Sequence, residues 1–241
     1  MPPVKVAFGC TAYGPIWAPA VSSWLAMIAW TSRQLELQVI GQIAGAGVTD
    51  RMYTHSAGNA LINDFIAIDD ATHLFLTEMD MILPKETILN LLALDKDIAT
   101  GIYFLRNGNG QACLYKKTVT PADNPYPHTP VSVFPTDEPF QVDCPGLGCV
   151  LIKREVFSKV LQPHFDLKEY TYGSDMYFYT KVKQAGIEVW ADPKTMAYQI
   201  DYTVVGPEDY YNRIRTDPKF ASTGFIIGKQ DEPLRTLVGK S

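Results

Sequence analysis

The chain has 241 residues, 46% of them hydrophobic and 20% charged, with a formal net charge of −5. A chain of this size with no low-complexity linker reads as one domain spanning 1–241 with a sizeable core, and no run of about 18 apolar residues marks a membrane span. The acidic balance argues against a structural nucleic-acid partner, which would need a basic face, but leaves room for one phosphorylated ligand held by backbone amides and a cation.

The chain opens almost at once on the strand-like VKVAFG, without the basic flank and apolar stretch of a secretory signal, so a cytoplasmic location is expected. The segment TAYGPIWAP carries loop punctuation. From Ala18 to Trp30 the residues Val21, Trp24, Leu25, Ile28 and Ala29 recur at helical spacing, and LELQVIG from Leu35 resumes strand character. A second helix is predicted from about Ala57 to Ile68, followed by the apolar strand THLFLT. Pro84 suits the first turn of the helix KETILNLLAL, and DIATGIYF reads as another buried strand.

Between Asn107 and Phe140 the periodicity is lost, and Pro121, Pro125, Pro127, Pro130, Pro135 and Pro139 break every candidate helix, leaving irregular chain with edge strands. Order returns with a Gly-rich turn, the strand CVLIK and a helix from near Arg154. YGSDMYFYTKVKQAG is predicted as a helix with Ser174 or Asp175 as N-cap and Gly186 as stop, before the strand IEVWAD. After Pro207 the tail is polar and weakly periodic. Such alternation implies an α/β fold with a mostly parallel central sheet flanked by helices and ligand chemistry at the strands' carboxyl ends.

The string THLFLTEMDMILPKE runs a buried strand straight into two carboxylates one residue apart. Strand alternation projects Glu78 and Asp80 to one side, where two hard oxygen ligands suit Mg²⁺ or Mn²⁺ with positions left for phosphate oxygens. Taken alone, the pair equally fits two turn carboxylates. Asp175 near a helix start fits either an N-cap or a proton acceptor. Pro145-Gly146-Leu147-Gly148 fits either close approach to a ligand or a simple tight turn. GAGVTD from Gly45 lacks the third glycine of a dinucleotide fingerprint.

Cys10, Cys113, Cys144 and Cys149 show no CxxC spacing and read as buried free thiols. His55, His73, His128 and His164 have no metal-ligand spacing and read as structural. The aromatics Tyr170, Tyr172, Tyr177, Phe178 and Tyr179 fit core packing or sugar stacking.

Four pieces in order carry a resemblance: KVAFGCTAYG, GNALINDFI leading into HLFLTEMDM, PGLGCVLIKREVF, and YGSDMYFYTKVKQAGIEVWADP. Over Val4 to Gly206 the chain resembles the GT-A glycosyltransferases, particularly the family-2-like group, whose fold is a single Rossmann-like nucleotide-diphospho-sugar transferase domain. The resemblance implies a nucleotide-sugar-binding half over about 4–105, an acceptor-side half over about 106–206 and a tail over 207–241. EMD stands where the family has its DxD motif, so Glu78 and Asp80 inherit the metal and diphosphate. Asp175 inherits the general base, with Ser174 where a Glu normally precedes it.

The resemblance further implies nucleotide contacts from Gly9, Cys10 and Thr11, and an acceptor side lined at Gly146, Gly148 and Ser174. Of the Arg-Asn pair before the acidic strand only Asn59 is kept, after Gly58, with Arg51 and His55 as candidate substitutes. Gln199 stands where the family has a metal-ligating His, with Asp201 as an alternative ligand. The implied activity is metal-dependent, inverting, hexosyltransferase-type transfer from a nucleotide sugar to a glycan, protein or other hydroxyl acceptor, with Mn²⁺ or Mg²⁺. Two rivals stay open: a GT-A-like nucleotide- or glycan-binding domain without turnover, and a sugar nucleotidyltransferase. The latter calls for a basic phosphate loop after the first strand, and CTAYGPIWAP holds no Lys or Arg.

Overall fold

Val4–Thr11 (β1) alternates its side chains between two cores: Val6, Phe8 and Cys10 face one, Ala7 the other. The computed structural model in which this is seen describes residues 3–37, 41–106, 110–117, 128–167, 173–201, 204–217 and 225–227. Tyr170, Tyr172, Pro121, Pro125 and Pro127 lie outside the described residues.

Ala18–Leu37 (α1) runs further than the apolar spacing predicted, so the Leu35 end of the expected second strand is helical and Gly41–Val48 (β2) begins later. The buried face Ala20, Trp24, Met27, Thr31 and Leu35 keeps helical period throughout, but Thr31 is polar and interrupts the apolar pattern. Trp24 packs on Phe8 at 5.8 Å between ring centroids and donates its indole N–H to the Met81 carbonyl at 2.8 Å. Burying an aromatic of this kind contributes about 1.5–3 kcal/mol.

Thr54–Ala67 (α2) starts one turn before the predicted Ala57, and His73–Glu78 (β3) follows. Met81–Ile82 (β4) leads through Pro84 to Thr87–Ala93 (α3); Pro84 sits in the preceding turn, its carbonyl accepting the Thr87 backbone N–H and hydroxyl. Then come Ile98–Ile102 (β5), Leu114–Lys117 (β6), His128–Val133 (β7), Phe140–Val142 (β8), Cys144–Pro145 (β9) and Cys149–Lys153 (β10). Arg154–Lys159 (α4) and Ser174–Gln184 (α5) precede Val189–Met196 (β11), Tyr198–Ile200 (β12) and Val204–Val205 (β13).

Pro207–Thr216 (α6) is a helix that the weak periodicity of the tail hid; Asp209 accepts the Gly206 N–H at 2.8 Å, and Tyr210 stacks on Phe134 at 4.7 Å. Phe225–Ile226 (β14) pairs with β7.

The main sheet has the order β2-β1-β3-β10-β5-β11-β8. Five of its seven strands run one way, and β10 and β8 run against them. Helices α2, α4 and α5 cover one face through Leu61, Phe65, Phe157 and Phe178, and α1 and α3 cover the other through Trp24, Met27, Ile88 and Leu91. Two small sheets, β13-β12-β4 and β14-β7-β6-β9, stand beside it.

Helix α5 stops as predicted at Gly186, whose φ of 72° sets up a Schellman closure: Ile187 N–H reaches the Val182 carbonyl at 3.1 Å and Gly186 N–H reaches Lys183 at 3.0 Å. Its start differs from prediction. Gly173, with φ of 123°, occupies the N-cap, and neither Ser174 nor Asp175 caps the helix. No helix among the described residues is long and apolar enough to cross a membrane.

Candidate functional site

Thr11 and Glu78 end adjacent parallel strands in register, and the Met79 N–H bonds the Thr11 carbonyl at 3.1 Å. The strand stops at Glu78, so Asp80 reaches the same cleft from the following turn and not by alternation along one strand. That turn is tied down from below: β4 pairs with β12, Ile200 N–H donates to the Asp80 carbonyl at 2.8 Å, and Gln199 is thereby set against the Asp80 side chain.

Asp80 is only 4% exposed. Its Oδ2 accepts from Gln199 Nε2 at 3.2 Å and from Arg106 at 3.1 Å, whereas its Oδ1 is buried with no partner among the described residues. Burial raises the Asp80 carboxyl above its ordinary value, against the pull of Arg106 and Gln199, and Asp201 pushes it further up. Burial, then the Asp80 and Asp175 carboxylates, pushes Glu78 up to about 8. The Glu78 side chain makes no hydrogen bond or ion pair among the described residues.

Two cavities meet at Glu78 and Thr54. One, of about 150 Å³, is lined by Thr11, Tyr13, Glu78, Asp80 and Arg106. The other, of about 190 Å³, is lined by Tyr53, His55, Glu78, Leu147, Ser174 and Asp175. The amino end of α2 opens onto both through Thr54, and no side chain caps it. An uncapped helix start presents free N–H groups and a positive dipole end, which suit an anion.

Asp175 is held by its own helix: Oδ1 accepts the Met176 N–H at 2.9 Å, and burial raises the carboxyl. Gly173 makes that placement possible, since a Cβ there would lie 2.5 Å from Asp175 Oδ1.

Other residues singled out in the sequence are placed elsewhere. Gly9 lies over Leu61 and Leu76, and Cys10 is buried with its thiol pushed up to about 12; of the three, Thr11 lines one of these two cavities. Asn59 pins a loop, accepting the backbone N–H groups of His164 and Phe165 at 3.1 Å and donating to the Phe165 carbonyl at 2.8 Å. Gly58 makes room for the Phe165 ring, which a Cβ would approach to 2.5 Å. Gly146 and Gly148 are buried against Tyr103, while Leu147 between them lines the cleft. His55 lines the cleft with a buried Nδ1 lacking a partner among the described residues.

Arg106, Thr54 and Gly173 went unnoticed in the sequence. Arg106 lies just beyond β5, where 103–105 pairs back on 111–113 through Leu105 N–H to Gln111 at 2.9 Å and Cys113 N–H to Tyr103 at 2.8 Å. A basic residue at the carboxyl end of a predicted buried strand was the available signal.

No group of three or more His, Cys, Asp or Glu side chains among the described residues is placed to hold a metal. The orphaned Asp80 Oδ1 beside Glu78 nonetheless fits a hard divalent cation that completes its shell with phosphate and water. Gln199 can turn only its carbonyl oxygen to such an ion while its amide N–H serves Asp80.

A largely parallel sheet with the cleft at the carboxyl ends of β1 and β3 is the layout of a GT-A-like, nucleotide-diphospho-sugar transferase fold. No family model matches the chain, and no curated protein does. Among solved structures it is similar to A197 from STIV, with 17% identity and a TM-score of 0.59 over 86% of this chain and 92% of that one. It is also similar to GalNAc-T7, solved with UDP, GalNAc and Mn²⁺, at 11% identity and a TM-score of 0.54 over 87% of this chain. That likeness spans 47% of the GalNAc-T7 chain, about half its length.

Proposed function

We propose that the chain is an inverting, metal-dependent glycosyltransferase of the family-2-like group, moving a hexose from a nucleotide sugar to an acceptor hydroxyl. One observation carries this reading: the two cavities share Glu78, with the orphaned Asp80 oxygen on one side and Asp175 on the other. Such a cleft has an end for a diphosphate and an end for a nucleophile. The fold shared with GalNAc-T7, which was solved with UDP, GalNAc and Mn²⁺, supports the nucleotide-sugar and metal part of this reading.

In this reading the diphosphate lies over Thr11, Arg106 and the start of α2, and Glu78 and Asp80 would hold Mn²⁺ or Mg²⁺. When bound, that ion neutralises charge on the departing diphosphate. The acceptor hydroxyl occupies the Asp175 side. Its oxygen bonds to the anomeric carbon as the bond from that carbon to the phosphate oxygen breaks, and its proton passes to Asp175. Burial makes the Asp175 carboxylate more basic than a solvated one. The Met176 N–H fixes its orientation for the transfer.

Calorimetric titration with a panel of nucleotide sugars in Mn²⁺ tests the donor side. Binding that is lost in Asp80→Asn and kept in Asp175→Asn, with transfer lost in both, is the expected pattern. No binding by the unaltered protein, or full transfer by Asp80→Asn, overturns the proposal.

A further inference from the structure

Among the described residues Arg106 is the cation paired with Asp80, and it bonds the same oxygen as Gln199 while the second oxygen of that carboxylate has no partner. Its side chain is 50% exposed and lines the 150 Å³ cavity, whereas the Asp80 side chain is 5% exposed. The guanidinium can therefore leave for the cavity; the carboxylate cannot leave the floor.

A dication bound at Oδ1 would lie within a few ångströms of the guanidinium, and like charges so close in a half-buried cleft repel strongly. A diphosphate entering the same cavity offers the guanidinium a better partner, because its oxygens accept bidentate, charge-assisted bonds.

Resting on the metal-diphosphate reading above, we propose that Arg106 is a built-in counter-cation that occupies Asp80 until a diphosphate draws it away, so that divalent cation and diphosphate bind as a coupled pair. Arg106 thus gates the metal site and then clamps the diphosphate. The cleft discriminates against free metal, and an anion lacking two adjacent phosphates does not complete the exchange.

The test uses the whole protein, Mn²⁺ alone and inorganic pyrophosphate, with bound Mn²⁺ read by electron paramagnetic resonance and no turnover required. In the unaltered protein pyrophosphate is expected to tighten Mn²⁺ binding at least about tenfold, roughly 1.4 kcal/mol of coupling, by the reciprocity of linked sites. Arg106→Gln is expected to bind Mn²⁺ alone about tenfold more tightly and to lose most of the pyrophosphate effect beyond what Mn²⁺ and pyrophosphate show for each other in solution. Arg106→Lys, which keeps the charge but not the fork, should restore the weak binding of free Mn²⁺ and only part of the pyrophosphate effect.

Equal Mn²⁺ affinity in the unaltered protein and Arg106→Gln, with binding abolished by Asp80→Asn, overturns the gate and leaves the metal site standing. Absence of Mn²⁺ binding in every variant, with or without pyrophosphate, overturns both.

Discussion

Helix α2 leads into strand β3, and the two ends of this unit are built on opposite terms. At the end away from the cleft no buried side-chain polar atom of α2 or β3 is left without a partner among the described residues. Arg154 donates to the carbonyls of Ala71 at 2.6 Å, Phe65 at 3.2 Å, Ile66 at 3.3 Å and Ile68, closing the carboxyl end of α2. Thr72 Oγ1 accepts the Lys5 N–H at 2.8 Å, Lys5 pairs with Asp70, and Lys153 with Asp95 at 2.7 Å. At the cleft end α2 has no side-chain cap, Asp80 has a bare buried oxygen, and burial followed by the Asp80 and Asp175 carboxylates pushes Glu78 up. Crowding carboxylates into a cleft with too few donors to satisfy every oxygen costs stability. Their concentration at one end, opposite an end that is well paired, is the pattern expected where a ligand supplies the missing partners.

The largest effect that tests this contrast is on turnover. Asp175→Asn should lower the transfer rate about 10²–10⁴-fold, the usual contribution of a positioned base, without lowering the melting temperature. A buried carboxylate replaced by a neutral amide loses an electrostatic cost. A variant that melts well below the unaltered protein would make Asp175 a structural group and remove it from the ligand end.

Arg154→Ala attacks the opposite end. Four carbonyls lose a charged donor, and the stacking of the guanidinium over Phe65, 4.8 Å from the ring centre, is lost as well. Denaturant unfolding should show a loss of about 3 kcal/mol, while transfer per folded molecule stays unchanged.

The acidic pair, the strand before it and the stop of α5 at Gly186 were legible because each depends on neighbours a few residues away. The setting of the pair was not. Alternation put Asp80 on the strand with Glu78, but the register of β3 with β1 ends at Glu78, and pairing of β4 with β12 folds Asp80 back through contacts 119 residues distant, as in its bond from Gln199. Strand β10 slips antiparallel between β3 and β5, a placement that no local period encodes. Arg106 comes to Asp80 by the same kind of distant closure. At α5, Ser174 and Asp175 had the chemistry of caps, yet the positive φ of Gly173 took the cap and freed Asp175 for the cleft.

The two ends should also respond to pH with opposite sign. Burial, and then Lys153, lowers His73 from 6.5 to about 4. Its neutral form is favoured in the folded state, so its contribution is full above pH 6.5 and is lost as pH falls towards about 4, by at most about 3 kcal/mol. Glu78 is raised from 4.5 to about 8, so its contribution is full below pH 4.5 and is lost as pH rises towards about 8. In metal-free buffer, His73→Asn should gain on the unaltered protein as pH falls through the first window, and Glu78→Gln as pH rises through the second. Parallel stability curves for either variant would show that its end does not carry the titration assigned to it.

The smallest effect separates strain from function within one helix. Gly173 and Gly186 flank α5 with φ of 123° and 72°, so alanine costs about 1–2 kcal/mol at Gly186 and more at Gly173, whose ψ of 149° completes a conformation almost confined to glycine. At Gly186 an added Cβ meets nothing within 4 Å, whereas at Gly173 it meets Asp175 Oδ1 at 2.5 Å. Gly186→Ala should therefore lower the melting temperature and leave the transfer rate of the folded protein intact. Gly173→Ala should show a larger drop in stability together with a fall in transfer rate per folded molecule, because the carboxylate must turn away from its bond to Met176. Equal rates in the two variants would mean that the orientation of Asp175 is not what Gly173 protects, and would leave the positive φ as a cap alone.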